Sequence, residues 1–369
     1  METDKKYKLT DECITIGDKK LYRIESLKDF AFIKKGDKGG FVESEENLSQ
    51  VGSCWIYNDT KVCGNAWVYG DAKVFGDAEI YDNVRVFGDA EIYDNVRVYG
   101  NAWVFGDAKV YGNAQVFKNA RVYGNAMVYG NAMVYGNAWV FGDAKVYGNA
   151  QVYDNVRVYG NAWVFGNAKV YGNAKVSGNA KVYGNAKVSG NAQVYGDAQV
   201  SGDARVYGNA KVYGNARVYG DAQVSGDARV YGNAMVYGNA MVYGNACVFG
   251  DAEICDNVRV YGNAEVFGNV HIKGDADISS ISDYIFFKNW WSSGRCFTWT
   301  RSNNMWSVGC FYGTGEELIA KAYKDSEISG KEYELVVKYV ESILKDGNTT
   351  TIVNKIKQRL IKIIKKFNL

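Results

Sequence analysis

Small and aliphatic residues return every six positions along most of the chain. From Ile56 to Ile278 the repeat has the form Val-Tyr-Gly-Asn-Ala-x, in about 37 copies without an inserted or deleted residue, and a short fixed period indicates a solenoid. Positions five, six and one of each copy alternate small, outward and aliphatic, which is the period-two pattern of a β-strand. The small and the aliphatic residue therefore share an inward face, and positions six and two point outward.

Turn residues occupy positions three and four of each copy. Gly64-Asn65 and Asp82-Asn83 are examples, and these residue types tolerate left-handed or turn backbone angles. Because the same face must point inward after every turn, the strands have to coil around an axis and pair with the next coil as a parallel ladder. The chain contains no proline, which fits strands that need every backbone N–H.

Residues eighteen positions apart indicate three sides per coil. One column, the Trp–Arg column, alternates two residue types: Trp67, Arg85, Trp103, Arg121, Trp139 and Arg157. Two shorter columns alternate charge: Lys61, Glu79 and Arg97, then Lys73, Glu91 and Lys109. The stretch after Trp103 is nearly duplicated after Trp139, so part of this regularity reflects copying. About twelve coils at roughly 4.8 Å each would form a rod of roughly 60 Å.

One copy carries a known pattern. Ile80-Tyr81-Asp82-Asn83-Val84-Arg85 matches aliphatic-x-x-Asn-small-x and resembles the hexapeptide-repeat superfamily of left-handed parallel β-helices. The resemblance covers residues 50–278 and implies a triangular prism that coils against the usual right-handed crossover rule. The expected fold class is therefore mainly β, a three-sided left-handed parallel β-helix.

The segments that flank the repeat resemble a narrower family. Leu21–Ile24, Lys35–Glu43, Asn47–Gln50 and Cys54–Tyr57 resemble the opening segment of YdcK-like hexapeptide-repeat proteins of bacteria and prophages. Gly309–Glu317 resembles a C-terminal module attached to such prophage proteins. The resemblance implies a phage or prophage association, and it makes acyltransferase chemistry one function to consider.

Three regions follow from these patterns. Residues 1–49 predict a β-rich cap, which would cover the unpaired strand edges at an open end of the solenoid. Residues 50–278 predict the rod. Residues 279–369 predict a C-terminal α+β module, in which aromatic strands precede helices. Thr314 and Glu317 form a capping-box pattern at the first helix, and the second helix is expected from Glu332 to Leu344, ended by Asp346-Gly347-Asn348.

Composition narrows the function classes. Forty-three basic and forty-one acidic side chains nearly balance, so no global polyanion-binding signal follows. The N-terminal residues contain no apolar run, and no segment reaches membrane-spanning length. Seven cysteines without a Cys-x-x-Cys spacing indicate reduced, incidental thiols, and we expect a cytoplasmic protein.

Catalysis has one weak candidate residue. Hexapeptide-repeat acyltransferases typically use a histidine on a coil as general base and loops that project from the coils. This repeat has no loop insertion, and the only histidine is His271, at the outward position six of a terminal copy. His271 would serve as a base in a cleft against the C-terminal module, or it is simply a solvated side chain. No nucleotide-binding, triad or zinc pattern occurs, so we expect no cofactor and no metal.

The Trp–Arg column is the first binding candidate. Arginine over tryptophan is a cation–π pair, worth roughly 0.5–1 kcal/mol when exposed. The column is either a binding strip for a partner, glycan or base, or a ladder that stabilises a thin core. Outward tyrosines and phenylalanines at position two extend the aromatic surface, which favours association of rods or recognition of another protein.

Two further patterns concern the outer surface and the module. Lys169, Lys175, Lys181 and Lys187 would girdle a three-sided rod, so a contiguous nucleic-acid footprint is not expected. In the module, arginines and tryptophans form either a small-ligand or phosphate pocket or an aromatic core with surface arginines. They are Arg295, Arg301, Trp290, Trp291, Trp299 and Trp306.

The tail from Ile352 to Leu369 predicts a basic amphipathic helix, with six cationic and no acidic side chains. It would dock on an anionic membrane surface, on an acidic partner, on other copies in a trimer, or on its own module. The interpretation we favour for the whole chain is a non-catalytic rod that displays a binding module. The alternatives are a hexapeptide-class acyltransferase and a protein that sequesters a ligand or host factor.

Overall fold

Three parallel sheets form the sides of a prism that runs through most of the chain. The structure is a computed structural model, and it describes residues 5–292, 294 and 296–345. Each copy of the repeat contributes one short strand, and each strand pairs with the strand eighteen residues further on, as Trp103 pairs with Arg121. The sheets contain 16, 13 and 12 strands, so the predicted three-sided solenoid is confirmed, with about thirteen coils.

The first face continues the N-terminal sheet with strands Lys61–Val62, Glu79–Ile80, Arg97–Gly100, Gln115–Lys118, Met133–Val134, Gln151–Val152, Lys169–Val170, Lys187–Val188, Arg205–Val206, Gln223–Val224, Met241–Val242, Arg259–Val260 and Asp277–Ile278. The second face holds Trp55–Ile56, Lys73–Val74, Glu91–Ile92, Lys109–Val110, Met127–Val128, Lys145–Val146, Trp163–Val164, Lys181–Val182, Gln199–Val200, Arg217–Val218, Met235–Val236, Glu253–Ile254 and His271–Ile272. The third face holds Trp67–Val68, Arg85–Phe87, Trp103–Phe105, Arg121–Tyr123, Trp139–Val140, Arg157–Val158, Lys175–Val176, Gln193–Val194, Lys211–Val212, Arg229–Val230, Cys247–Val248 and Glu265–Val266.

The core of the rod is a column of small and aliphatic side chains. Position five and position one are buried in coil after coil, as at Ala138 and Val140, which have no exposed surface. Position six is the outward residue, as the alternation predicted. The core consists of small and aliphatic side chains like these and is therefore thin. The coils gain further stability from contacts along their corners and faces.

The corners require residues that adopt positive φ. Gly124 has φ of +66°, and a Cβ atom there would lie 3.1 Å from the backbone nitrogen of Gly142 in the next coil. Aspartate replaces glycine in some corners, as at Asp82 with φ of +65°. The Asp82 carboxylate then accepts a hydrogen bond of 3.0 Å from the Gly100 N–H one coil further on, so the side chain holds adjacent corners together.

Asparagines at position four form amide ladders along the corners. The side-chain amide of Asn119 donates to Oδ1 of Asn137 at 3.0 Å, and Asn137 donates to Asn155 at 2.9 Å. This ladder runs without interruption from Asn65 to Asp227. The sequence indicated asparagine only as a turn residue, and the ladder is a second role that the coil spacing creates.

An antiparallel sheet caps the first coil. Strands Tyr7–Ile16, Lys19–Ser26 and Lys38–Val42 are followed by a 3-10 turn at Glu45–Asn47, and Lys38–Val42 pairs in parallel with Lys61–Val62, the first rod strand of the first face. Lys6 is buried at this end. Its ammonium donates to the carbonyl oxygen of Cys54 at 2.9 Å and lies 3.2 Å from the Cys54 sulfur. Burial lowers the pKa of Lys6, and the side chain satisfies carbonyls that the open coil would leave unpaired.

The C-terminal module is a four-stranded antiparallel sheet covered by two helices. The strands are Tyr284–Lys288, Cys296–Thr300, Met305–Val308 and Phe311–Gly313, after a 3-10 turn at Ile281–Asp283. Helix α1 spans Gly315–Asp325 and helix α2 spans Glu327–Lys345. The predicted capping box is present, since Thr314 accepts from the Glu317 N–H and Glu317 accepts from the Thr314 N–H.

Helix α2 begins earlier than the sequence indicated, at Glu327 and not at Glu332. Ser326 caps it by accepting a hydrogen bond from the Ser329 N–H at 3.1 Å. Gly330 lies within this helix and has a packing role, because a Cβ atom there would overlap the ring of Tyr323. The predicted end at residues 346–348 lies outside the described residues.

The module closes the last coil of the rod. The N–H of Phe267 donates to the hydroxyl oxygen of Tyr284 at 3.3 Å, and that hydroxyl donates to the Glu265 carbonyl at 3.1 Å. The His271 N–H donates to the Thr298 hydroxyl at 3.3 Å. Strand edges that would be open at the end of the solenoid are therefore paired with groups of the module.

Candidate functional site

The Trp–Arg column lies on the third face, in the register that the sequence predicted. Arg121 is placed between two indole rings, with its guanidinium carbon 4.8 Å from the centre of Trp103 and 5.1 Å from that of Trp139. Arg85 and Arg157 lie 5.2 Å from Trp103 and Trp139, respectively. Each of these tryptophans is thus covered by an arginine from both neighbouring coils.

The column has an open end at its first member. Trp67 is 41% exposed and stacks on Tyr69 with ring centres 4.0 Å apart. Trp103 and Trp139 meet the neighbouring position-two rings edge-on, as Trp139 does with Tyr123 at 6.4 Å. Arginines occupy both faces of the indoles of Trp103 and Trp139. A ligand on the column would therefore contact only the edges of these indoles and of the guanidinium groups, whereas at Trp67 it would find an exposed indole.

Charged columns stabilise the other two faces. On the first face Glu79 lies 3.7 Å from Lys61 and 3.2 Å from Arg97. On the second face Glu91 lies 2.8 Å from Lys109 and 4.0 Å from Lys73. Burial works to raise the pKa of Glu91, but the hydrogen bonds from Lys109 and Tyr93 outweigh it and hold that pKa below its ordinary value. These pairs are solvent-exposed, so each contributes little on its own.

The four lysines at positions 169, 175, 181 and 187 are spread over all three faces. Lys169 and Lys187 belong to the first face, Lys175 to the third and Lys181 to the second. Lys181 also lies 5.0 Å above the ring of Trp163, which Lys145 covers from the other side at 5.1 Å. Part of this lysine set therefore belongs to a second cation–aromatic column that the sequence pattern did not indicate.

His271 lies at the junction of rod and module, with 26% of its side chain exposed. Its Nε2 atom is 3.4 Å from the sulfur of Cys255 and 3.9 Å from a carboxylate oxygen of Glu253. A cavity of about 300 Å³ opens beside them, and Cys296 of the module contributes to its wall. Cys255 takes a position-two place, where Tyr237 stands one coil earlier.

The electrostatics of this cluster oppose nucleophilic catalysis. Burial raises the pKa of the Cys255 thiol to about 11, and burial together with the nearby Lys273 charge lowers the pKa of His271. A reactive cysteine needs the opposite shifts, a thiolate beside an imidazolium. Cys255 and Glu253 also approach the same ring nitrogen, whereas a triad places the acid on the other nitrogen. The Cys255–His271 contact is therefore a packed contact between a thiol and an uncharged imidazole at neutral pH.

The module residues singled out in the sequence separate into core and surface. Trp299 and Trp306 pair across adjacent strands and are 1% and 2% exposed, so a ligand would have to displace the core of the module to stack on them. Trp290 is exposed, and Arg301 is exposed at the turn after its strand. Arg295 and the basic tail lie outside the described residues.

A cleft between the helices and the sheet was not predicted from sequence. It has a volume of about 460 Å³, and Lys321, Asp325, Ser329 and Tyr333 contribute to its lining. The buried Asn289 amide donates to the Tyr333 hydroxyl at 2.9 Å and fixes the floor. These residues come from a strand end and two helices, so no local motif marks them.

The described residues show neither the pattern expected of a metal site nor that expected of a membrane-spanning helix. No group of three or more histidine, cysteine, aspartate or glutamate side chains there has the arrangement of a metal site. All seven cysteines are free thiols. None of the described helices has the length and apolar character needed to cross a membrane.

The sheets, corners and columns define the class of protein, a parallel β-solenoid built from hexapeptide repeats. A family model described as the YdcK β-solenoid repeat matches the rod in the segments 90–106, 120–135, 128–142, 150–166, 198–211, 210–226, 222–236, 228–242 and 234–250. The chain is a β-solenoid repeat protein of the YdcK type. Comparison with curated proteins found no match.

Proposed function

We propose that this protein is a non-catalytic rod that holds its C-terminal binding module at a fixed distance from its N-terminal cap. The observation that carries the proposal is the continuous register of the coils. Every rod strand pairs with the strand eighteen residues away, and the cation–π columns and amide ladders follow the same register. Such ladders resist bending and shear between coils, which are the properties that a spacer needs.

The binding end of the rod is the module. Its cleft of about 460 Å³ combines the Lys321 and Asp325 charges with the Tyr333 hydroxyl and an apolar wall that includes Leu318. Binding sites of small ligands typically join a concave apolar surface to a few fixed polar groups. Sequestration of a ligand or host factor would use this cleft, and it is the variant of the proposal in which the rod presents a receptor.

The proposed phage or prophage association rests on sequence resemblance. The two ends of the chain resemble prophage proteins, so we place the rod among phage or prophage proteins that act in the cytoplasm. The aromatic faces support side-by-side association or contact with a protein partner. The tail at 352–369 would add a membrane, partner or trimer contact, and this remains a prediction from the sequence.

The test compares the two function classes on the full chain. Acetyl-coenzyme A turnover is followed by thiol release with wild-type protein, His271→Ala and Cys255→Ala. We expect no turnover above background in any of them. Turnover by the wild-type protein that either substitution abolishes, with the fold intact by circular dichroism, would contradict the proposal and select the hexapeptide-class acyltransferase.

A further inference from the structure

Aromatic rings at position two stack along each face, one ring per coil. On the first face Tyr135, Tyr153 and Tyr171 form such a stack, with ring centres 4.9 and 5.2 Å apart. Serine takes the same position further along, so the column reads Tyr171, Ser189, Tyr207, Ser225, Tyr243. Each serine removes one ring from a stack whose backbone continues in register.

The omission at Ser225 leaves a cavity of about 290 Å³. Its walls are the rings of Tyr207 and Tyr243, two coils or about 9.6 Å apart along the rod. Gln223, Ser225, Met241 and Arg259 complete the lining. A planar ring at this level would adopt the tilt and offset of the tyrosine that other coils place there, with one stacking partner on each side. We name this cavity the ring slot.

Tyr207 is unusual among the rod tyrosines because serines stand on both sides of it. It is 39% exposed, whereas Tyr243 is less exposed and stacks on Tyr261 with ring centres 5.3 Å apart. One wall of the ring slot is therefore an open aromatic face, and the other is the end of a stack. Exposed ring faces of this kind are the surfaces on which planar ligands stack.

Polar groups at the ring slot favour an uncharged ligand with acceptor atoms at its edge. The Tyr207 hydroxyl donates to Oε1 of Gln223 at 3.4 Å. The NH₂ group of the same amide points away from Tyr207 and can donate to a ligand. Arg259 is paired with Asp277 through two contacts of 2.6 and 2.8 Å, so its charge is already balanced. The Met241 thioether supplies a polarizable edge.

We propose that the ring slot binds one neutral, planar heteroaromatic ring of nucleobase size, carried by a small molecule. The ring inserts between Tyr207 and Tyr243 and accepts hydrogen bonds at its edge from the Gln223 amide and the Ser225 hydroxyl. The sandwich contributes two stacking contacts, and the volume accommodates one ring system with room for a small substituent. This site is independent of the module cleft and of the rod's role as a spacer.

The repeat itself supplies the decisive variant. Ser225→Tyr restores the residue that most other copies carry, so it fills the ring slot without changing a core or corner position. We expect its thermal midpoint to equal or exceed that of the wild type. Ser225→Ala removes the hydroxyl and keeps the cavity, and Tyr207→Ser removes one wall.

The experiment measures binding of adenosine to the full-length variants by saturation-transfer NMR and calorimetry, with adenosine monophosphate as a second probe. The wild type should transfer saturation to the base protons, Ser225→Tyr should abolish it, and Tyr207→Ser should weaken binding about tenfold. Ser225→Ala, which removes the donating hydroxyl and keeps the cavity, should weaken binding about fivefold without abolishing it. No binding to the wild type, equal binding to Ser225→Tyr, or much tighter binding of the monophosphate would overturn the proposal.

Discussion

At the scale of single residues, the rod depends on the difference between asparagine and aspartate. An asparagine amide both donates and accepts, so it continues a ladder, whereas an ionised aspartate only accepts. Ladders end where an aspartate receives the last bond, as at Asp197, Asp203 and Asp227. Aspartate at position three has another role, because its carboxylate binds the N–H of the next corner, as Asp256 binds Gly274 at 3.0 Å.

A substitution within a ladder should therefore cost stability that the same substitution at a ladder end does not. Asn137→Asp creates one contact between two acceptors, and flipping the amides above it only moves that contact towards Asp227. We expect a loss of about 1 kcal/mol in the free energy of unfolding. Asn263→Asp is the control, since Asn263 accepts from Asn245 and ends its ladder. Urea denaturation of both variants checks this, and equal losses would contradict the ladder's role.

His271 makes the junction between rod and module sensitive to pH. Burial lowers the pKa of His271 in the folded protein below 6.5, the ordinary value for a histidine side chain. The unfolded chain then binds more protons than the folded chain, so this contribution is complete above pH 6.5 and is lost as the pH falls below it. His271→Gln removes the titrating group and keeps an amide of similar size. Between about pH 7.5 and 5.5, the thermal midpoint of the wild type should fall more than that of His271→Gln, and an equal fall would show that His271 does not titrate in the junction.

At the scale of elements, the strands are too short to be stable alone, and the faces stabilise them through columns. A two-residue strand has few hydrogen bonds, but its outward side chain contacts the coils above and below. Phe105, for example, lies in the stack between Phe87 and Tyr123, with its ring centre 4.8 Å from each of theirs. Cation–indole contacts and ring–ring stacking between coils therefore add to the stability that the thin core provides.

The Trp–Arg column should contribute measurably through Arg121, which contacts two indoles. Arg121→Gln should lower the free energy of unfolding by about 1–2 kcal/mol, the sum of two exposed cation–π contacts. Arg229→Gln is the matched control on the same face, because its neighbours in the column are Lys211 and Cys247. Chemical denaturation measures both, and a similar effect of the two substitutions would show that the indoles gain nothing from the arginine.

At the scale of the whole molecule, the architecture follows from the period, while the sites depend on contacts that the period does not contain. The eighteen-residue columns predicted three faces, because residue type and spacing coincide there. The start of helix α2 was predicted too late, at Glu332 and not at Glu327. The first turns of the helix contain Gly330, a residue with low helix propensity that makes space here for the ring of Tyr323. The module cleft and the Cys255–His271 contact were missed because residues distant in sequence form them. The ring slot was not predicted either, although the serines at position two, such as Ser225, are the sequence signal that could have marked it.

Deletions test the three-sided register on the whole rod. Removing residues 163–180 takes out one coil and keeps every face aligned, so the protein should stay folded with an almost unchanged thermal midpoint. Removing 127–132 keeps the core pattern but moves Trp139 to another face, away from Arg121. That variant should fold with lower stability. Equal unfolding of both variants by circular dichroism would contradict three repeats per coil.

The distance between the two ends of the rod tests the account most directly. Cys13 in the cap and Cys310 in the module are exposed and can carry spin labels once the other accessible cysteines, Cys247 and Cys296, are replaced by alanine. Double electron–electron resonance should give one narrow distance distribution in the full-length protein. Its mean should shorten by about 4.8 Å when residues 163–180 are removed, one coil step. A broad distribution, or a mean that does not change with the deletion, would contradict a rigid rod that sets the position of the module.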